Sequence, residues 1–159
     1  MAYIGIDPGF SGGLAAIDSD GEIHTAPMPV TGSGKDRAID VETMHGWIVD
    51  VGKPEIVVVE KIHAMPKQGV ASTFSFGKGY GMILGLLACT GIPHTLVTPQ
   101  AWKKAILAGV GAKDKAAAIQ WCGQFYPQAN LLATTRSRVP HDGIADALCM
   151  AEYGRRLRG

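Results

Sequence analysis

Apolar positions come in short blocks over the first sixty residues and in helical rhythm over much of the rest. Tyr3-Ile4-Gly5-Ile6 predicts a strand that stops on Asp7 and a Pro8-Gly9 turn. A second strand, Gly13 to Ile17, ends at Asp18-Ser19-Asp20-Gly21, and residues 22–26 predict a third before Pro27 and Pro29. Residues 31–36, rich in Gly, Ser and charge, read as a loop. Val41, Met44, Ile48 and Val51 share one face of a helix over 41–51, which Lys53-Pro54 breaks. Glu55 to Glu60 then carries four consecutive β-branched residues without polar alternation, the pattern of a strand covered on both faces. That strand also stops on an acid.

Residues 61–69 have no period and read as a loop. A long helix is predicted over 71–89, with Gly77, Gly81 and Gly85 spaced by four into a smooth stripe where another backbone can approach. Residues 93–97 predict a strand. Helices follow over 100–107, introduced by Thr98-Pro99, over 113–125, and over 142–157, with loops at 109–111 and 133–140. Strands first, then strands alternating with helices, imply a single α/β domain over 1–159 built on a mixed central β-sheet flanked by α-helices.

Composition changes this picture little. Cys89, Cys122 and Cys149 are too widely spaced to suggest zinc or bridges and read as reduced core thiols of a cytoplasmic protein. No apolar run is long enough for a membrane span, and no secretory leader is visible. Charge is polarised: residues 1–60 hold ten acids against three Lys/Arg, residues 61–100 hold three lysines and no acid, and residues 101–159 hold nine Lys/Arg against four acids. A basic second half suits an anionic partner. Two phosphate-loop lookalikes fail. Gly32-Ser33-Gly34-Lys35 has Pro29 where the first glycine belongs and Asp36 where a hydroxyl belongs, and Gly77-Lys78-Gly79-Tyr80-Gly81 follows no suitable strand.

The acids carry the chemistry. Asp7 and Glu60 end two strands that read as neighbours, and Asp142 and Asp146, four apart, share one face of the last helix. Like charges so placed repel unless a cation lies between them. The helix dipole tolerates acids in a first turn, which explains Asp142 better than Asp146 among Ile144, Ala145, Ala147 and Leu148. Four such carboxylates are an oxygen-donor set for Mg²⁺ or Mn²⁺, and a pair of these ions can drive phosphodiester hydrolysis.

Ile4-Gly5-Ile6-Asp7-Pro8-Gly9, Val57-Val58-Val59-Glu60 and the segment from Asp142 to Leu148 resemble, in order and spacing, the RuvC family of Holliday junction resolvases, within the RNase H-like fold. The resemblance implies a homodimeric, Mg²⁺-dependent endonuclease that nicks two strands of a four-way DNA junction through a metal-activated water, with two ions per site and Mn²⁺ as a substitute. It implies Asp7, Glu60 and Asp146 as metal-binding acids, and Lys104 and Lys115 as basic residues near the scissile phosphate. The stretch after Glu60 is where the family reaches into the junction centre, making His63, Met65 and Phe74 candidates, with Lys78 a further DNA-binding candidate. The family's fourth ligand falls three residues before the last aspartate, here Gly143; Asp142 is assigned the role, with His141 as the alternative. A bacterial or virus-infected bacterial cytoplasm is the expected location.

Three other readings start from the same residues. One is an RNase H-like nuclease for RNA–DNA hybrids or flaps, and another a junction-binding module without chemistry. An actin-like ATPase half would need a second similar domain, for which 159 residues leave no room.

Overall fold

The computed structural model describes residues 1–63 and 69–158. Strands β1 (Ala2–Asp7), β2 (Gly13–Asp18) and β3 (Ile23–Pro27) form an antiparallel meander. Strands β4 (Val30–Thr31) and β5 (Ala38–Ile39) make a small separate hairpin around a 3₁₀ turn at Gly34–Asp36, where the sequence predicts only a loop. Two-residue strands carry no readable period. Helix α1 (Val41–Asp50) leads to β6 (Pro54–Glu60), α2 (Val70–Cys89), β7 (His94–Val97), α3 (Pro99–Ile106), α4 (Lys115–Phe125) and α5 (Asp142–Arg158). The main sheet runs β3-β2-β1-β6-β7, antiparallel on the β3 side and parallel from β1 to β7. This is the predicted mixed sheet. Helix α4 starts two residues later than expected because Asp114 adopts a positive φ of 54°.

The pleat sorts the strands' side chains into two cores. Ile4 and Ile6 of β1 and Val57 and Val59 of β6 face Met44 and Ile48 of α1 and Ile83 and Leu87 of α2. On the other face, Ala15, Ile17 and Val58 meet Trp102 of α3, Trp121 of α4 and the apolar side of α5. Ten of the seventeen residues of α5 are buried, making it the central helix of that layer. Its far end is fixed by Glu152, a buried carboxylate that accepts from Tyr126 Oη at 2.8 Å, Arg155 Nε at 2.7 Å and Arg156 Nε at 2.8 Å. Cys122 and Cys149 are buried free thiols, as expected, whereas Cys89 ends α2 and is exposed, which corrects its assignment to the core. No helix among the described residues is long and apolar enough to cross a membrane.

Helix α5 lies unusually close to the sheet because glycine clears the way. A Cβ on Gly5 would overlap the carbonyl oxygen of Ala147 and lie 2.6 Å from Ala151 N. One turn nearer the helix start, a Cβ on Gly13 would lie 2.7 Å from the Ile144 backbone, and one on Gly143 would lie 2.5 Å from Ser11 O. Backbone meets backbone along this whole seam, leaving no layer of side chains between helix and strand.

Candidate active site

Period two places the acids. Gly5 faces α5, so Asp7, two residues on, faces it too; Val58 faces the same layer, so Glu60 does as well. The parallel register Ile6↔Val59 sets Asp7 and Glu60 side by side at the carboxyl ends of their strands. The Gly13–Ile144 and Gly143–Ser11 contacts hold the first turns of α5 against the β1–β2 turn. Asp142 and Asp146 therefore come in over Asp7 from the helix.

Burial and the charges of neighbouring groups both act on these carboxyls. Burial, then the charges of Glu60 and Asp146, push the Asp7 carboxyl up to about 7, with Asp142 adding to the shift. Burial likewise raises Asp146 to about 6, opposed by the Lys103 ammonium and reinforced by Glu60 and Asp142. Asp142 shifts the other way: Lys115 Nζ lies 2.8 Å from its Oδ2 and holds its carboxyl below the usual carboxylate range. Glu60 accepts a 2.7 Å hydrogen bond from the indole Nε1 of Trp102, itself fully buried.

Among the described residues, no three His, Cys, Asp or Glu side chains are already gathered into a metal cage. Two of the four acids are turned to other partners, Asp142 to Lys115 and Glu60 to Trp102. The donor set nevertheless fits a hard divalent cation: all four groups are carboxylates, and the two most enclosed, Asp7 and Asp146, are strained by like charge that such a cation relieves.

Position 143 cannot add a ligand. Its Cα faces the Ser11–Gly12 backbone, with no space for a side chain. His141 spends Nδ1 on the helix start, where it accepts from Ile144 N–H at 3.3 Å. Asp142, paired with Lys115, is near enough for its charge to act on both Asp7 and Asp146.

The predicted basic residues are placed unequally. Lys115 pairs directly with Asp142. Lys104 is exposed on α3, and the α3 lysine whose field reaches Asp146, together with that of Lys115, is its neighbour Lys103, which also lies 5.3 Å from the centroid of the Trp102 ring. Sequence reading missed Lys103 and Trp102, although an inward-facing Trp102 and Ile106 are a signal that could have set the rotation of α3. Phe74 on α2 is 74% exposed, which excludes a core role, and Lys78 one turn later is exposed too. His63 is exposed just beyond β6, and Met65 lies outside the described residues. The Gly77, Gly81 and Gly85 stripe faces open space.

No family model matches the sequence, and no curated protein matches it. Solved structures do. A Thermus thermophilus RuvC structure superposes with a TM-score of 0.59 at 25% identity, covering 98% of this chain and 96% of that one. T. thermophilus RuvC in complex with a Holliday junction substrate gives a TM-score of 0.60 at 20% identity, over 99% of this chain and 96% of that one. The yeast mitochondrial Holliday junction resolvase gives 0.60 at 13% identity, over 96% and 77%. From the first strand to the last helix, then, the chain has the RNase H-like fold of RuvC, and the resemblance carried by its three acidic motifs spans nearly its whole length.

Proposed function

We propose that this protein is a divalent-metal-dependent endonuclease that resolves four-way DNA junctions by paired, symmetric nicks. The observation that carries the reading is the convergence of Asp7, Glu60, Asp142 and Asp146 in a RuvC fold, with Asp7 pushed to about 7 by its burial and its neighbours. Its solved neighbours include a RuvC bound to a Holliday junction and a mitochondrial junction resolvase. Asp7, Glu60, Asp142 and Asp146 would hold Mg²⁺ or Mn²⁺, which supplies activation of water and stabilisation of the leaving oxygen.

The chain's own residues do the rest. Trp102 holds Glu60 Oε2 through its indole N–H, which limits the orientations open to that carboxylate. Lys115 and Lys103 flank the acids, and both can turn to an incoming phosphate. Lys115 then gives up Asp142 as the backbone arrives, which frees that carboxylate for the cation. Paired nicks need two sites facing opposed strands, and a C₂ dimer supplies them. The open glycine stripe of α2 is the surface offered for that contact.

The test is cleavage of a synthetic four-way junction with Mg²⁺, run beside linear duplex and RNA–DNA hybrid, with sedimentation to read the oligomer. Symmetric nicks on the junction by a dimer are expected. Cutting of the hybrid alone would keep the acids and replace the substrate. Tight junction binding without cutting in Mg²⁺ or Mn²⁺ would leave a binding module. Within the same assay, Trp102→Phe is expected to slow cutting about tenfold and to raise the Mg²⁺ needed for half-maximal rate. An unchanged Mg²⁺ requirement would show that Glu60 is oriented by something else.

A further inference from the structure

The Gly32-Ser33-Gly34-Lys35 segment fails as a nucleotide loop, yet the fold sets it at the wall of a cleft. Its 3₁₀ turn stands across from the first half of α2, and the two enclose a cleft of about 400 Å³. Lys35, Arg37 and Lys78 line it against a single acid, Asp36, with the exposed Phe74 at the same wall. None of the three cations is ion-paired among the described residues. Only three Lys/Arg occur in residues 1–60, and two of them sit in this turn.

The cleft is tied to the acidic site. The Arg37 guanidinium lies 4.9 Å from the centroid of the Phe10 ring, in the turn that begins at Asp7. A smaller hollow lined by Phe10, Ser72, Ser75 and Phe76 shares Ser75 with the cleft. A basic depression thus borders the turn after Asp7 on the sheet face covered by α2, whereas Lys103 and Lys115 are carried by α3 and α4, which pack on the other face.

We propose that this cleft is a second contact for the DNA sugar–phosphate backbone, with Lys35, Arg37 and Lys78 meeting phosphates of a junction arm as it leaves the acidic site. The proposal rests on the junction-nuclease reading. Lys35 and Arg37, unpaired in an otherwise acidic first sixty residues, together with Lys78 favour a polyanion, and their spread along a groove suits successive backbone phosphates better than one mononucleotide.

The experiment measures binding of a labelled four-way junction by fluorescence anisotropy in EDTA, from 50 to 200 mM salt. The doubly substituted Lys35→Ala, Arg37→Ala protein is expected to lose roughly tenfold in affinity at the middle of that range. Its slope of log K against log salt should shrink by about two. Lys35→Ala alone should shrink it by about one, and Lys35 is exposed and forms no ion pair among the described residues, so its loss leaves the fold intact. Lys53→Ala, at the opposite end of β6 from Glu60, is the charge-loss control and should leave the slope unchanged. An unchanged slope in the double variant, while the wild-type protein binds, overturns the cleft and leaves the nuclease reading standing. An equal drop for Lys53→Ala overturns it as well, since any lost charge would then serve. Loss of dimerisation in the double variant would reassign the cleft to a second copy of this chain. A wild-type protein that binds no junction would overturn both readings.

Discussion

Asp7→Asn should abolish junction cutting, by about a thousandfold or more, while leaving junction binding nearly intact. That loss corresponds to roughly 4 kcal/mol at the transition state, the scale of a removed metal-ligand carboxylate. The same substitution should stabilise the metal-free protein at neutral pH and above. Burial and the neighbouring acids hold Asp7 at about 7 and Asp146 at about 6, both far above the value for an unfolded aspartate. Between about pH 4 and pH 7 the native state therefore binds more protons than the unfolded one. The sign follows: stability is greatest at the acid side of this window and falls as pH rises through it, because the native state must then carry crowded charge. Urea midpoints in EDTA at pH 5 and pH 8 read the effect directly. The wild-type midpoint should fall between the two, and the Asp7→Asn midpoint should fall less and lie above wild type at pH 8. A wild-type midpoint that does not fall, together with no gain from asparagine, would mean the acids do not crowd one another. Loss of junction binding along with cutting would make Asp7 a structural residue instead.

Asp7, Glu60 and Asp146 were legible because each interrupts an apolar pattern for no local structural benefit, whereas Asp142 also suits the first turn of a helix. An ionised group at the end of a buried strand, as at Asp7 and Glu60, is costly unless the fold uses it. The all-apolar run at 56–59 predicted a strand covered on both faces, and Val58 packs into one core while Val57 and Val59 pack into the other. Other features were hidden for physical reasons. Lys103 and Lys104 differ by one helical step of about 100°, so only the rotation of α3 decides which one faces the acids. With Trp102 and Ile106 turned inward, Lys104 points almost directly away and Lys103 sits at the flank. The cleft of Lys35 and Arg37 depends on a hairpin of two-residue strands and on a helix more than thirty residues later, a juxtaposition no local pattern encodes. Glycine was read as turn chemistry or as a stripe for another chain. At positions 5, 13 and 143 it does something else, admitting a helix backbone against a strand, and this contact is what brings Asp146 over Asp7.

Gly5→Ala tests that contact with a single methyl group. A Cβ there would overlap the carbonyl oxygen of Ala147 and crowd Ala151 N, and both obstacles are backbone, so no side chain can swing aside. Either α5 lifts from the sheet or β1 bends, and both disturb the most buried layer of the protein. A loss on the order of 4 kcal/mol or more is expected, a large share of the 5–15 kcal/mol that keeps a domain of this size folded. Gly46→Ala is the matched comparison. Gly46 lies in α1, an added Cβ meets nothing within 4 Å, and the substitution should stabilise by about 0.8 kcal/mol through helix propensity. The same chemical change should therefore move the urea midpoint in opposite directions at the two sites. In whatever fraction of Gly5→Ala remains folded, cutting should fall further than the folded fraction does, because α5 carries Asp142 and Asp146 away from Asp7 as it lifts. Equal midpoints for the two variants would mean that strand and helix can part by the width of a methyl group at no cost, and the four acids would then owe their meeting to a contact other than this one.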